Sequence, residues 1–162
     1  MTASSDGLTA VTGPHAAHFQ SLLESLDLKC TTLSPASYHL AMYEKLMWIS
    51  SLMLVGAAKQ CPTVGSARRQ HLPLLTDLIE EMMCAVEADE GILFPDHAAT
   101  ITRLTEYTDV VSDFPAALKE HEWRNKRFAD LRCSLHNSLL AAASPATVLP
   151  RGGSVNKASM RQ

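Results

Sequence analysis

Apolar residues recur with helical spacing along most of this chain, and short clusters of proline, glycine and threonine break the pattern. From His15 to Leu26 the positions Phe19, Leu22, Leu23 and Leu26 fall at three- and four-residue intervals, which predicts a first helix with one apolar face. Thr31 to Pro35 interrupts it, and Ser34 or Ser37 is placed to cap a second helix that runs to about Ala58. Cys61-Pro62-Thr63-Val64-Gly65 ends that helix. A third helix is expected from about Gln70 to Ala88, with Pro73 in its first turn, Leu72, Leu75, Ile79, Met82, Met83 and Val86 facing inward, and Gly91 as its stop.

After Pro95 a further helical segment offers Ile101, Leu104 and Val111 to a core, until Phe114-Pro115 breaks it. Ala116 to about Ala143 carries Leu118, Trp123, Phe128, Leu131, Leu135 and Leu139, again with helical spacing. No strand signal competes. Residues 1–14, rich in Ser, Thr, Ala and Gly, lack periodicity and read as a flexible extended leader; Ser144 to Gln162 turns to Ser, Pro, Gly and basic residues and reads as a flexible tail. The expectation is an all-α fold: a compact bundle of about five helices over residues 15–143, with Trp48, Leu52 and Met83 in its core.

The run from Leu46 to Ala58 holds no charge, but its thirteen residues span only about 20 Å at the helical rise, short of a bilayer core. It therefore reads as a buried central helix rather than as a membrane insertion. With 162 residues, 46% hydrophobic and 19% charged, the chain has enough material for one core. A net charge of −3 with both signs interspersed gives no field that would favour nucleic acid or an anionic membrane. Cys30, Cys61, Cys84 and Cys133 form no C-x-x-C pair and no signal core precedes them, so they read as reduced thiols of an intracellular, soluble protein. A plastid or mitochondrion stays open, since a presequence could already have been removed.

Candidate chemistry is sparse. Lys45, beside Glu44 at the head of the apolar run, could hold a substrate oxygen and deliver a proton, or could simply be an exposed helix-end lysine. His15, His18 and His121 are isolated and no H-E-x-x-H or Cys/His box exists, so no metal site is expected. Ser50 and Ser51 lack a nucleophile turn and read as hydroxyls bonding back to helix carbonyls. Cys84, between Met83 and Ala85, reads as core. Met42, Met47 and Met53 along the second helix read either as core or as an adaptable interface. The segment Phe114 to Asn125, which includes Glu120, His121 and Glu122, is the densest polar stretch and reads most simply as a solvated helix face.

Tyr43-Glu44-Lys45-Leu46-Met47-Trp48, then Thr63-Val64-Gly65, then a long helix ending in Ala88-Asp89-Glu90-Gly91-Ile92, then Glu120 or Glu122 ahead of Asn125, come in an order that resembles the C-terminal helical domain of ketopantoate-reductase-type dehydrogenases. That domain is of the 6-phosphogluconate dehydrogenase C-terminal type, and the likeness covers about Phe19 to Phe128. It implies an all-helical domain in which Lys45 sits over the carbonyl being reduced and Glu120 binds substrate, with NADPH supplied by a separate nucleotide-binding domain. The Gly-rich turn of such a domain, G-x-G-x-x-G, is absent from the sequence. Ile49 and Met53 stand one and two turns beyond Lys45, where the family carries substrate-binding asparagines, and Lys126 follows Asn125 where it carries glycine.

These departures favour a non-catalytic interaction or assembly module without a cofactor, working with a protein partner or as a homo-oligomer. The alternative is the helical domain of an NADPH-dependent 2-oxo acid reductase, completed by a nucleotide-binding domain in trans or in a longer chain.

Overall fold

The structure, a computed structural model, describes residues 9–118 and 122–143. It is mostly helical, as expected: α1 (Ala16–Glu24), α2 (Pro35–Ala58), α3 (Val64–Glu90), α4 (His97–Val110), α5 (Asn125–Asp130) and α6 (Ser134–Ala143). Two three-residue strands, β1 (Thr9–Val11) and β2 (Cys30–Thr32), flank α1 and pair in parallel, with Thr9 opposite Cys30 and Val11 opposite Thr32. The last six residues of the expected leader are thus part of the fold. Three residues are too few for an alternation to register in the sequence. Residues 1–8 and the expected tail from Ser144 lie outside the described residues.

Helix α2 is the axis of the bundle. Ser34 caps it, its side chain accepting from the Ser37 backbone N–H at 3.1 Å, and Pro35 takes the first turn where no N–H is needed. It packs against α3, α6 and α4, which is how a helix apolar on nearly every side removes that surface from water. By length and composition α2 would also cross a membrane, but 56% of its most apolar window is buried inside the fold. Met47, Leu52, Leu54 and Val55 are wholly enclosed, and Trp48 donates its indole N–H to Thr108 of α4 at 3.1 Å. Ser51 bonds to the Trp48 carbonyl, whereas the buried Ser50 hydroxyl finds no hydrogen-bond partner.

Helix α3 starts earlier than periodicity suggested. Thr63 caps it reciprocally with Ser66: each side chain bonds to the other's backbone N–H, at 3.1 Å in both directions. Pro73 therefore lies inside the helix, and the strain of its missing N–H is absorbed by a kink at His71, whose φ of −132° and ψ of 30° leave the helical region. Gly91, with φ of 66°, closes the helix as predicted. The start of α3 is sewn to the segment after α4: Val64 N–H donates to the Phe114 carbonyl and Gly65 N–H to that of Ser112, both at 2.9 Å. A side chain at Gly65 would meet Ser112 at 2.7 Å, which explains the glycine.

The expected helix over 116–143 is divided into α5 and α6, with Arg132 in the left-handed region between them (φ 59°). Phe128 and Leu139 from this part reach the core, but Trp123 is 82% exposed. The larger correction concerns α1. Of its predicted apolar face, Phe19 and Leu22 are 45% and 51% exposed, Leu23 is part-buried, and Leu26, past the end of the helix, is 63% exposed, because α1 packs almost entirely on β1 and β2 and scarcely touches the bundle.

Candidate functional site

Lys45 is exposed on α2, while its neighbour Glu44 turns inward, buried and ion-paired with Arg103 of α4. Arg103 also donates to Thr100 at 3.3 Å, so Glu44 belongs to the seam between α2 and α4. Ile49 and Met53, one and two turns on from Lys45, are part-buried and apolar. Glu120 lies outside the described residues, together with Lys119 and His121. Asn125 is 1% exposed, and its side-chain oxygen faces His136 Nε2 at 3.1 Å in the α5–α6 contact. Among the described residues, Lys45 and Asn125 are therefore not gathered into one site: one faces solvent and the other is a core amide.

The proposed interface methionines divide in the same way. Met42 is exposed, Met53 is part-buried and Met47 is fully enclosed, so the three do not present one surface. Met47 is a core residue. Cys84, read from its apolar neighbours as core, is exposed; Cys30, Cys61 and Cys133 are the buried thiols. Burial pushes the Cys133 thiol up to about 11, so it stays protonated at neutral pH.

The densest polar geometry lies along the second half of α3. Glu81 accepts from Ser134 Oγ at 3.1 Å and from the backbone N–H groups of Leu135 and His136 at 2.9 and 3.0 Å, capping α6 from another helix. Glu90 accepts from the Tyr43 hydroxyl at 2.8 Å and pairs with Arg127, which also holds Asp89 at 2.6 Å. These contacts tie α5 and α6 to the long helix.

On the same half of the helix, Glu80, Cys84 and Glu87 are spaced by four and three residues and hence lie on one side of α3. Facing them is His97, the first residue of α4, brought back by the turn at Gly91. Its Nδ1 lies 2.8 Å from Glu80 and its Nε2 3.0 Å from Glu87. Glu87 also accepts the Phe94 backbone N–H at 2.9 Å, which fixes its carboxylate. Hydrogen bonds to Glu87 and then Glu80 raise the pKa of His97, and the same contact with His97, followed by the Phe94 N–H, lowers that of Glu87. Partial desolvation, then the charges of Glu80 and Glu87, raise that of the Cys84 thiol. One donor atom each from Glu80, Cys84 and His97 lies within 4.8 Å of the others.

Sequence reasoning missed this set because its members are separated by a helix end and a turn. The available signal was Glu80, Cys84 and Glu87 at helical spacing, with His97 close behind the Gly91 stop. Comparison with protein-family models, with curated proteins and with solved structures finds no match to this chain.

Proposed function

We propose that this chain is a non-catalytic helical assembly module that docks, through its β1–α1–β2 unit, on a partner domain built around a parallel α/β sheet. The observation that carries the reading is the exposed apolar pair Phe19 and Leu22 on a helix that connects two parallel strands, with Leu26 exposed in the turn that follows it. Parallel strands joined by a helix belong to sheets buried on both faces, and a two-stranded pair is marginal without more strands or cover. Among the described residues, each strand pairs on one side only, so both outer edges are open to a further strand. The likeness to the helical domain of ketopantoate-reductase-type dehydrogenases supports the same occupant, since that domain works against a nucleotide-binding sheet. The apolar Ile49 and Met53 beside Lys45 support a module without substrate chemistry, because a polar acid would be desolvated there without hydrogen bonds in return.

Affinity capture from extract of the source cell tests the docking, using the full chain and a Phe19→Glu/Leu22→Glu variant. The expected result is a captured chain with a Gly-rich strand-to-helix turn, held by the parent protein and lost by the variant. A parent chain that sediments as a monomer and captures no such protein overturns the proposal. Calorimetric titration with NADPH should show no binding to the isolated chain; micromolar affinity would contradict the non-catalytic reading.

One observation favours a second reading, the helical domain of an NADPH-dependent 2-oxo acid reductase completed by that partner. Strand β2 is followed after two residues by α2, on which Lys45 is exposed. A sheet continued from β2 would bring a cofactor domain towards this helix. In this reading Lys45 is the acid and Glu120 binds substrate. The reconstituted complex would then reduce a 2-oxo acid with NADPH, and Lys45→Ala would abolish the turnover without unfolding the chain.

A further inference from the structure

We propose that Glu80, Cys84 and His97 form a binding site for a thiophilic divalent transition-metal ion of the zinc type, with Glu87 as the carboxylate that orients His97. The site does not depend on the docking reading above.

The first support is the donor set. A carboxylate, a thiol and an imidazole lie within 4.8 Å of one another on two helices whose connection is fixed by Gly91 and by the Phe94–Glu87 hydrogen bond. Adjacent donors around a tetrahedral ion with bonds of about 2.0–2.3 Å stand roughly 3.3–3.8 Å apart, so the 2.8 Å Nδ1–Glu80 pair opens by about 0.5 Å and separations of up to 4.8 Å close by about 1 Å to form the site. Cys84 is exposed and Glu80 part-exposed, which leaves their rotamers free to supply it. Magnesium and calcium take oxygen ligands almost alone, whereas sulfur and imidazole nitrogen favour zinc, cobalt or copper.

The second support is what lies behind the imidazole. Metal-bound histidines commonly donate their other ring nitrogen to a carboxylate, which holds the ring in place and strengthens it as a ligand. His97 already has that arrangement: Nε2 is 3.0 Å from Glu87, leaving Nδ1 directed at Glu80.

With Nδ1 facing Glu80 and Nε2 facing Glu87, the two carboxylates favour the protonated form of the His97 ring. Metal binding forms bonds to Cys84 Sγ, His97 Nδ1 and a Glu80 oxygen and releases the thiol proton and the Nδ1 proton. Starting from the protonated ring, two protons leave as two positive charges arrive, so the cluster's net charge is unchanged. Three protein donors leave a coordination position for water.

The test is a titration of the full chain with Co2+ under reducing conditions, followed by Zn2+. One equivalent of Co2+ should produce the near-ultraviolet charge-transfer absorption of a cobalt–thiolate bond, and Zn2+ should displace it. Cys84→Ser should abolish the band, and Glu87→Gln should weaken Zn2+ affinity by about 10- to 100-fold. Bound Zn2+ should also protect Cys84 from alkylation. Circular dichroism of each variant separates lost binding from lost fold, and the surface position of Cys84 makes its serine variant the safest reporter. No cobalt–thiolate band from the parent chain, as expected if His97 merely bridges two carboxylates, overturns the proposal. So does a band that survives Cys84→Ser.

Discussion

The stripe of apolar residues on α1 and the apolar run of α2 carry the same kind of sequence signal, yet the fold treats them oppositely. Leu52 of α2 is fully enclosed by neighbouring helices, whereas Leu22 of α1 is half exposed. The difference is in what surrounds each helix. α2 is long enough to meet α3, α4 and α6 along its length, while α1, nine residues long, is tethered between two short strands and held to one side. Periodicity establishes which residues share a face; only the rest of the chain, or a partner, determines whether that face is covered.

Substitutions on the two helices measure this contrast. Leu52→Ala should cost about 2–5 kcal/mol in denaturant unfolding, since it opens a cavity in an enclosed core. Gly65→Ala comes next, at roughly 1–3 kcal/mol, because its new methyl would press on the Ser112 backbone at the seam that fixes the start of α3. Thr63→Ala should cost about 1 kcal/mol by removing the α3 cap.

A smaller effect is expected at alkaline pH. The folded-state pKa of Cys133 is raised, from 9.0 to about 11, so its contribution to stability is complete below pH 9.0 and is lost as pH rises towards about 11. Unfolding curves across that window should flatten in Cys133→Ala. Leu22→Ala should move the isolated chain by no more than about 0.5 kcal/mol. If it costs as much as Leu52→Ala, the stripe on α1 is covered in the free protein and the contrast between the two helices fails.

The core was legible where helices are long. Trp48, Leu52 and Met83 are buried as their spacing predicts, and Gly91 ends its helix for the reason glycine usually does. Trp123 was misread because aromatic character says nothing about whether a facing helix exists, and here the chain leaves it in solvent. The early start of α3 was obscured by Pro73, which the helix tolerates through the kink at His71. Cys84 was misread from its apolar neighbours along the chain, although residues adjacent in a helix point about 100° apart. Of the site residues, Lys45 has the exposure expected of a helix-end lysine despite lying well inside α2. The meeting of α3 with His97 needed the Gly91 turn to be built before it could be seen.

The carboxylate of Glu81 has a consequence for the order in which this chain folds. At ten residues, α6 is shorter than helices that persist alone in water, and its opening amides are satisfied by a side chain more than fifty positions earlier. Its formation therefore awaits a structured α3, a loop closure that must precede any reward. α6 should be unstructured in the folding transition state, and Glu81→Gln should accelerate unfolding while leaving the refolding rate nearly unchanged in stopped-flow kinetics.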